Sequence, residues 1–240
     1  MSVPANDWVL RLFAGLIDRC GVERAVNELG LLHLAVSLGR MDLVQWLLDL
    51  GAPVQARDRR ERTPLFFAAN RRMARALLQA GADPEVRDLA GNTPLHAAAK
   101  AGRVDVVALL AREQQRLHTQ DKRGLTPLHA AAMRGRVNCV RYLLSRGAQA
   151  NALDRHGRHP LFYAVAGGHL ETALALMEEG ADLEMVDNQG TAWVDVAPLA
   201  QIPVLQGCAS RLLMQEAEAG WTPLRRPVAG VEGEAFFQSL

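Results

Sequence analysis

The side chains able to do chemistry in this sequence are histidines, cysteines and a large set of arginines, and their spacing decides which chemistry is open. His156 and His159 form an HxxH pair, but no cysteine or third ligand motif stands near them, and a metal site needs ligands that converge on one point. They read as loop residues. His33, His96 and His129 recur one per stretch of similar sequence, which fits a structural role bonded to neighbouring backbone. Cys20, Cys139 and Cys208 are odd in number, far apart and without a CxxC pair, as expected of free thiols in a reducing compartment. No nucleophile elbow, Walker loop, HExxH or glycine-rich dinucleotide motif occurs, so the reading is of a non-enzymatic protein with no catalytic residues, metal or cofactor. Anion recognition remains. Basic letters cluster at Arg59, Arg60 and Arg62, at Lys122 and Arg123, and at Arg155, His156 and Arg158.

Each cluster lies between an Asp and a Thr-Pro-Leu-like element. The phrase Asp-x-x-Gly-x-Thr-Pro-Leu-His is complete at Asp88–His96 and again, 33 residues later, at Asp121–His129. A 33-residue period belongs to stacked helical repeats rather than to a catalytic domain. Asp154 and Asp187 continue it, whereas Asp58 precedes Asp88 by only 30 residues. The expected organisation is a helical N-terminal cap over 1–29, repeats at 30–57, 58–87, 88–120, 121–153, 154–186 and 187–216, and a tail over 217–240. That tail contains an aborted repeat start, Gly220 to Leu224.

The phrase has a folding logic. Thr93 and Thr126 suit the N-cap of a first helix, and Pro94 and Pro127 suit its first position, where a missing N–H costs nothing. Gly102, Gly135 and Gly168 stand where the chain must reverse in a left-handed conformation. Val106, Val107, Leu109 and Leu110, like Val140, Leu143 and Leu144, form the buried stripe of a second helix, with Cys139 in the same core. Phe66 and Phe162 replace the phrase's His, and Asp195 replaces it with a residue suited to local capping. In the shortened unit the three missing residues fall at the turn between helices. Asn70 is expected there as a left-handed residue ending the first helix, with Arg71 and Arg72 opening the second. Cations at a helix N-terminus oppose its dipole by about 0.3–1 kcal/mol. An acidic ligand would offset that, so Arg59, Arg60, Arg62, Arg71 and Arg72 are read as the strongest anion-facing patch; a plain deletion in a tolerant loop is the alternative.

The set of phrases resembles the ankyrin-repeat family over residues 25–216. The resemblance implies an all-α solenoid of stacked helix-turn-helix units with short hairpin fingers. It also implies a concave groove lined by fingers and first helices. Carried onto this sequence, the groove would present the basic finger residues named above together with Phe67, Lys100, Met133, Arg134 and Tyr163. Arg71 and Arg72 would join them.

Lys and Arg number 27 against 26 Asp and Glu, a formal charge of +1, so a basic groove would have to arise by segregation. The acids sit elsewhere, at Asp105, Glu171, Glu178 and Glu179 and at Glu85 and Glu184. The expected function is a protein-interaction module that is monomeric on its own and binds an acidic partner protein. By analogy it would serve as an inhibitor or immunity protein, or alternatively as a host-directed bacterial effector scaffold. Nucleic-acid binding by the fingers is a further alternative, weakened by the near-neutral charge and the scarcity of aromatics in register. Solvated finger tips with no ligand are the plain alternative to any site. Without a leader or a membrane-spanning apolar run, the chain reads as cytoplasmic.

Overall fold

The computed structural model describes residues 11–16 and 30–218. Most of the expected N-terminal cap and the expected tail from Ala219 onward lie outside the described residues. Two compact units result, Met1–Ala98 with Arg103–Lys122, and Ala99–Gly102 with Arg123–Leu240.

Among the described residues the structure is helical, with no strand and one isolated bridge, Val186 to Ala192. In the first unit the helices Leu31–Ser37, Met41–Asp49, Arg71–Gln79, the greater part of Pro94–Ala101, and Val104–Leu110 are joined by turns. In the second they are Pro127–Ala132, Val137–Ser145, Pro160–Ala166, Leu170–Glu178 and Ile202–Glu218. Apolar stripes on the second helices make the core: Leu43, Val44 and Leu47, then Met73, Ala74 and Leu77, and in the second unit Cys139, Val140 and Leu143. Each helix pair alone would expose that stripe, so the stability lies in the stacking. The reversal glycines adopt the expected left-handed conformation, with φ of 81° at Gly102, 63° at Gly135 and 69° at Gly168.

The shortened unit departs from expectation. Its first helix contracts to a single 3-10 turn, Pro64–Phe67, and Asn70 is extended (φ −151°, ψ 170°) rather than left-handed. Deleting the last turn of the first helix removes the tight reversal itself. Asn70 therefore becomes the N-cap of the next helix, its side-chain oxygen accepting the Met73 N–H at 3.0 Å.

The deleted turn leaves an opened carbonyl, and the following unit covers it. Arg103 Nη1 donates to Ala68 O at 3.1 Å, and the Arg71 N–H donates to Asp105 Oδ2 at 2.6 Å. Burial lowers the Arg103 pKa while Asp105 opposes that. The unfavourable cations at this helix start are thus offset by Asp105, a carboxylate of the chain itself.

Candidate partner-binding site

The fingers that begin at Asp58, Asp88, Asp154 and Asp187 are each folded around their own aspartate. In the first unit Asp58 Oδ1 accepts the N–H groups of Arg60 (2.8 Å) and Arg62 (2.9 Å), and Asp88 Oδ1 those of Ala90 (2.9 Å) and Asn92 (2.8 Å). In the second, Asp154 Oδ1 accepts from His156 (2.8 Å) and Arg158 (2.9 Å), and Asp187 Oδ1 from Gln189 (2.9 Å) and Thr191 (3.0 Å). These carboxylates turn inward onto amides, a turn that Asp side chains favour. A left-handed residue completes each loop: Gly91, Gly124, Gly157 and Gly190, but Glu61 in the first finger.

Neighbouring fingers are linked through backbone. Leu89 N–H donates to Arg60 O (3.0 Å) and Lys122 N–H to Ala90 O (2.9 Å); in the second unit Arg155 N–H donates to Arg123 O (3.0 Å) and Asn188 N–H to His156 O (2.8 Å). Asn188 adds a side-chain bond from Nδ2 to Arg155 O at 3.2 Å. Arg60, Lys122, Arg123, Arg155 and His156 thus enter these links by their main chain. Arg59, Arg60, Lys122, Arg123, Arg155 and His156 are all exposed.

Two expected contact residues are instead bound into the framework. Arg62 reaches Asp58 Oδ2 through Nη2 at 2.7 Å and stacks over the Phe67 ring at 4.5 Å. Arg158 donates through Nε to Asp187 Oδ2 at 3.0 Å and stacks over Phe162 at 4.7 Å. Burial pushes the Asp58 and Asp187 pKa values up, but amide and guanidinium hydrogen bonds prevail and hold both below the ordinary carboxylate value. Tyr163 donates its hydroxyl to Asp154, and its pKa is pushed up to about 12 by burial and by that carboxylate. The half-buried Phe67 and Tyr163 are each flanked edge-on by a phrase histidine, His33 at 6.1 Å and His129 at 5.9 Å.

Arg71, Arg72, Lys100 and Arg134 are exposed at the opposite, turn end of their helices. Arg71 is tied to Asp105 beyond helix Pro94–Ala101, whereas Arg60 is tied to Leu89 before it. Of the five arginines expected as one patch in the shortened unit, Arg59 and Arg60 lie in the finger, Arg62 pairs with Asp58, and Arg71 and Arg72 open helix Arg71–Gln79. Met133 is half-buried, and its carbonyl accepts a hydrogen bond from His169 at 3.2 Å.

A second ladder was not anticipated. Besides Arg103 on Ala68 O and His169 on Met133 O, Arg136 Nε donates to Lys100 O (3.3 Å) and Gln201 Nε2 to Gly168 O (2.9 Å). Arg103, Arg136 and His169 follow Gly102, Gly135 and Gly168 directly, so a donor after each reversal glycine was the available signal. Nor is His159 the loop residue its letters suggest. It is 1 % exposed, occupies the N-cap of helix Pro160–Ala166 where three other repeats carry Thr63, Thr93 and Thr126, and neither ring nitrogen has a hydrogen-bond partner.

A family model for ankyrin repeats (three copies) matches residues 32–121 and 113–187. The chain belongs to the ankyrin-repeat family. No curated protein matches it. Ankyrin repeats generally mediate protein–protein interaction and are typically non-enzymatic, which directs attention to the ankyrin fingers rather than to a catalytic cleft. Among the described residues no helix is long and apolar enough to cross a membrane.

Proposed function

We propose that this ankyrin-repeat protein binds an acidic partner protein through its finger tips. The observation that carries the reading is a division of labour within the fingers. The aspartates are consumed by the amides of their own loops, the fingers join through main-chain amides and carbonyls, and the tips carry Arg59, Arg60, Lys122, Arg123, Arg155 and His156 into solvent. Positive charge presented in this way is suited to steering and orienting an anionic surface.

The half-buried Phe67 in one unit, beneath Arg62, and Tyr163 in the other, bonded to Asp154, each follow a basic finger in the chain and offer ring surface next to it. The test is to recover the partner by pull-down and titrate it at rising salt against Arg123→Glu with Arg155→Glu. Affinity is expected to fall at least about tenfold and its salt dependence to flatten. Unchanged affinity and salt slope would overturn the proposal. Tight binding of polynucleotide with a steep salt slope would transfer the fingers to nucleic-acid recognition.

A further inference from the structure

The first unit holds a feature that the fingers do not explain. A cavity of about 460 Å³, open to solvent, lies where helix Arg71–Gln79 meets the end of helix Val104–Leu110, and Arg75, Leu78, Gln79, Leu109 and Arg112 line it. Leu109 is buried and Leu78 half-buried, so the two leucines supply apolar lining, while Arg75 and Arg112 are exposed at its edge. The volume falls within the range of about 300–1,000 Å³ typical of ligand pockets.

The charges around it are unbalanced. Helix Arg71–Gln79 carries Arg71, Arg72 and Arg75 and no acid. Arg75 follows Arg71 by four residues and Arg72 by three, so these cations are neighbours on the helix surface and repel. Neither Arg75 nor Arg112 makes an ion pair among the described residues. The acids that could serve them are engaged elsewhere: Asp105 holds the Arg71 N–H, Glu85 pairs with Arg116 at 3.2 Å, and Glu113 pairs with Arg116 at 2.7 Å. Arg75 on helix Arg71–Gln79 and Arg112 in the turn after helix Val104–Leu110 stand beside Leu78 and Leu109, an arrangement complementary to an apolar side chain flanked by carboxylates.

We infer that this cavity is a second binding site, specific for an acidic peptide segment carrying one apolar anchor residue. The anchor, of leucine or phenylalanine size, enters between Leu78 and Leu109, and carboxylates on either side of it meet Arg75 and Arg112. The site is independent of the finger tips, so it stands or falls separately from the proposed finger function.

The probe is a fluorescently labelled short peptide with Phe at its centre and Glu on both sides, titrated by anisotropy against the full chain. Saturable binding is expected, weakened at least about tenfold by Arg75→Glu with Arg112→Glu, and equally by replacing the central Phe with Ala. Arg59→Glu with Arg60→Glu is expected to leave it intact. Both arginines are exposed, and circular dichroism with thermal melting checks that the variants remain folded. No binding, binding indifferent to the Arg75/Arg112 reversal, or equal binding of the Ala peptide would each overturn the inference. Displacement of the peptide by polynucleotide at matched charge would also overturn it, by reducing the site to a general anion surface.

Discussion

Thr126 Oγ1 lies 2.9 Å from His129 Nδ1, and the Thr126 N–H donates to the same nitrogen at 3.1 Å. Because an N–H must find a lone pair there, the proton of His129 resides on Nε2, which donates to Arg158 O at 3.1 Å. In the shortened unit the partner position is taken by Phe66, and the buried Thr63 Oγ1 has no hydrogen-bond partner. The two threonines therefore respond oppositely to loss of the hydroxyl. Thr126→Val is expected to destabilise by about 1–2 kcal/mol, whereas Thr63→Val stabilises by about 1 kcal/mol by removing an unpaired buried group. Urea denaturation midpoints of the two variants measure the difference.

His159 gives the protein a sensitivity to mild acid. Burial lowers its pKa from 6.5 to about 4, opposed by Asp182 and assisted by His129. A histidine depressed in the fold stays neutral there while the unfolded chain takes up the proton. Its contribution is therefore complete above about pH 6.5 and is lost as pH falls toward 4, with a limiting slope of about 1.4 kcal/mol per pH unit. Between pH 7 and pH 5 the wild type is expected to lose about 2 kcal/mol more than His159→Leu, read from urea titrations at both pH values.

The fold is legible in the sequence because its signals are local. Thr-Pro sets a helix start, Gly102, Gly135 and Gly168 set the reversals, and the apolar stripes set the faces. The shortened unit misleads where the outcome depends on another unit: Asn70 avoids the left-handed region because Arg103 and Asp105, more than thirty residues on, satisfy the opened turn. The finger charges show the same limit. Arg155 and Arg158 are equivalent letters in the sequence, and only the neighbouring Asp187 distinguishes an exposed tip from a framework residue.

That distinction is measurable. Asp187 is 5 % exposed, and removing the Arg158 guanidinium leaves its carboxylate buried without its cation. Arg158→Ala is expected to cost roughly 2–4 kcal/mol of stability. Arg155→Ala is expected to stay within about 0.5 kcal/mol of wild type. If the finger proposal holds, partner affinity reverses the ranking once each variant is measured well below its melting temperature, because Arg155 is lost from the contact surface itself.

Glu61 joins the fold to the proposed function in a single position. It holds a left-handed φ of 61° where the other fingers use glycine, a conformation that costs an ordinary residue roughly 1–2 kcal/mol. Its ion pair with Arg57 at 2.9 Å joins two side chains about half exposed, 48 % and 46 %, and such pairs return at most about 1 kcal/mol. Glu61→Gly is accordingly expected to stabilise the protein by about 0.5–1 kcal/mol. It also removes a carboxylate from a finger whose tips are Arg59 and Arg60, so affinity for an acidic partner should rise. Glu61→Ala separates the two effects: it retains the backbone strain and removes the charge, and should therefore tighten binding without gaining stability. Denaturant titration beside a binding isotherm at low and high salt reads both, and a gain in affinity that survives high salt would dissociate it from charge.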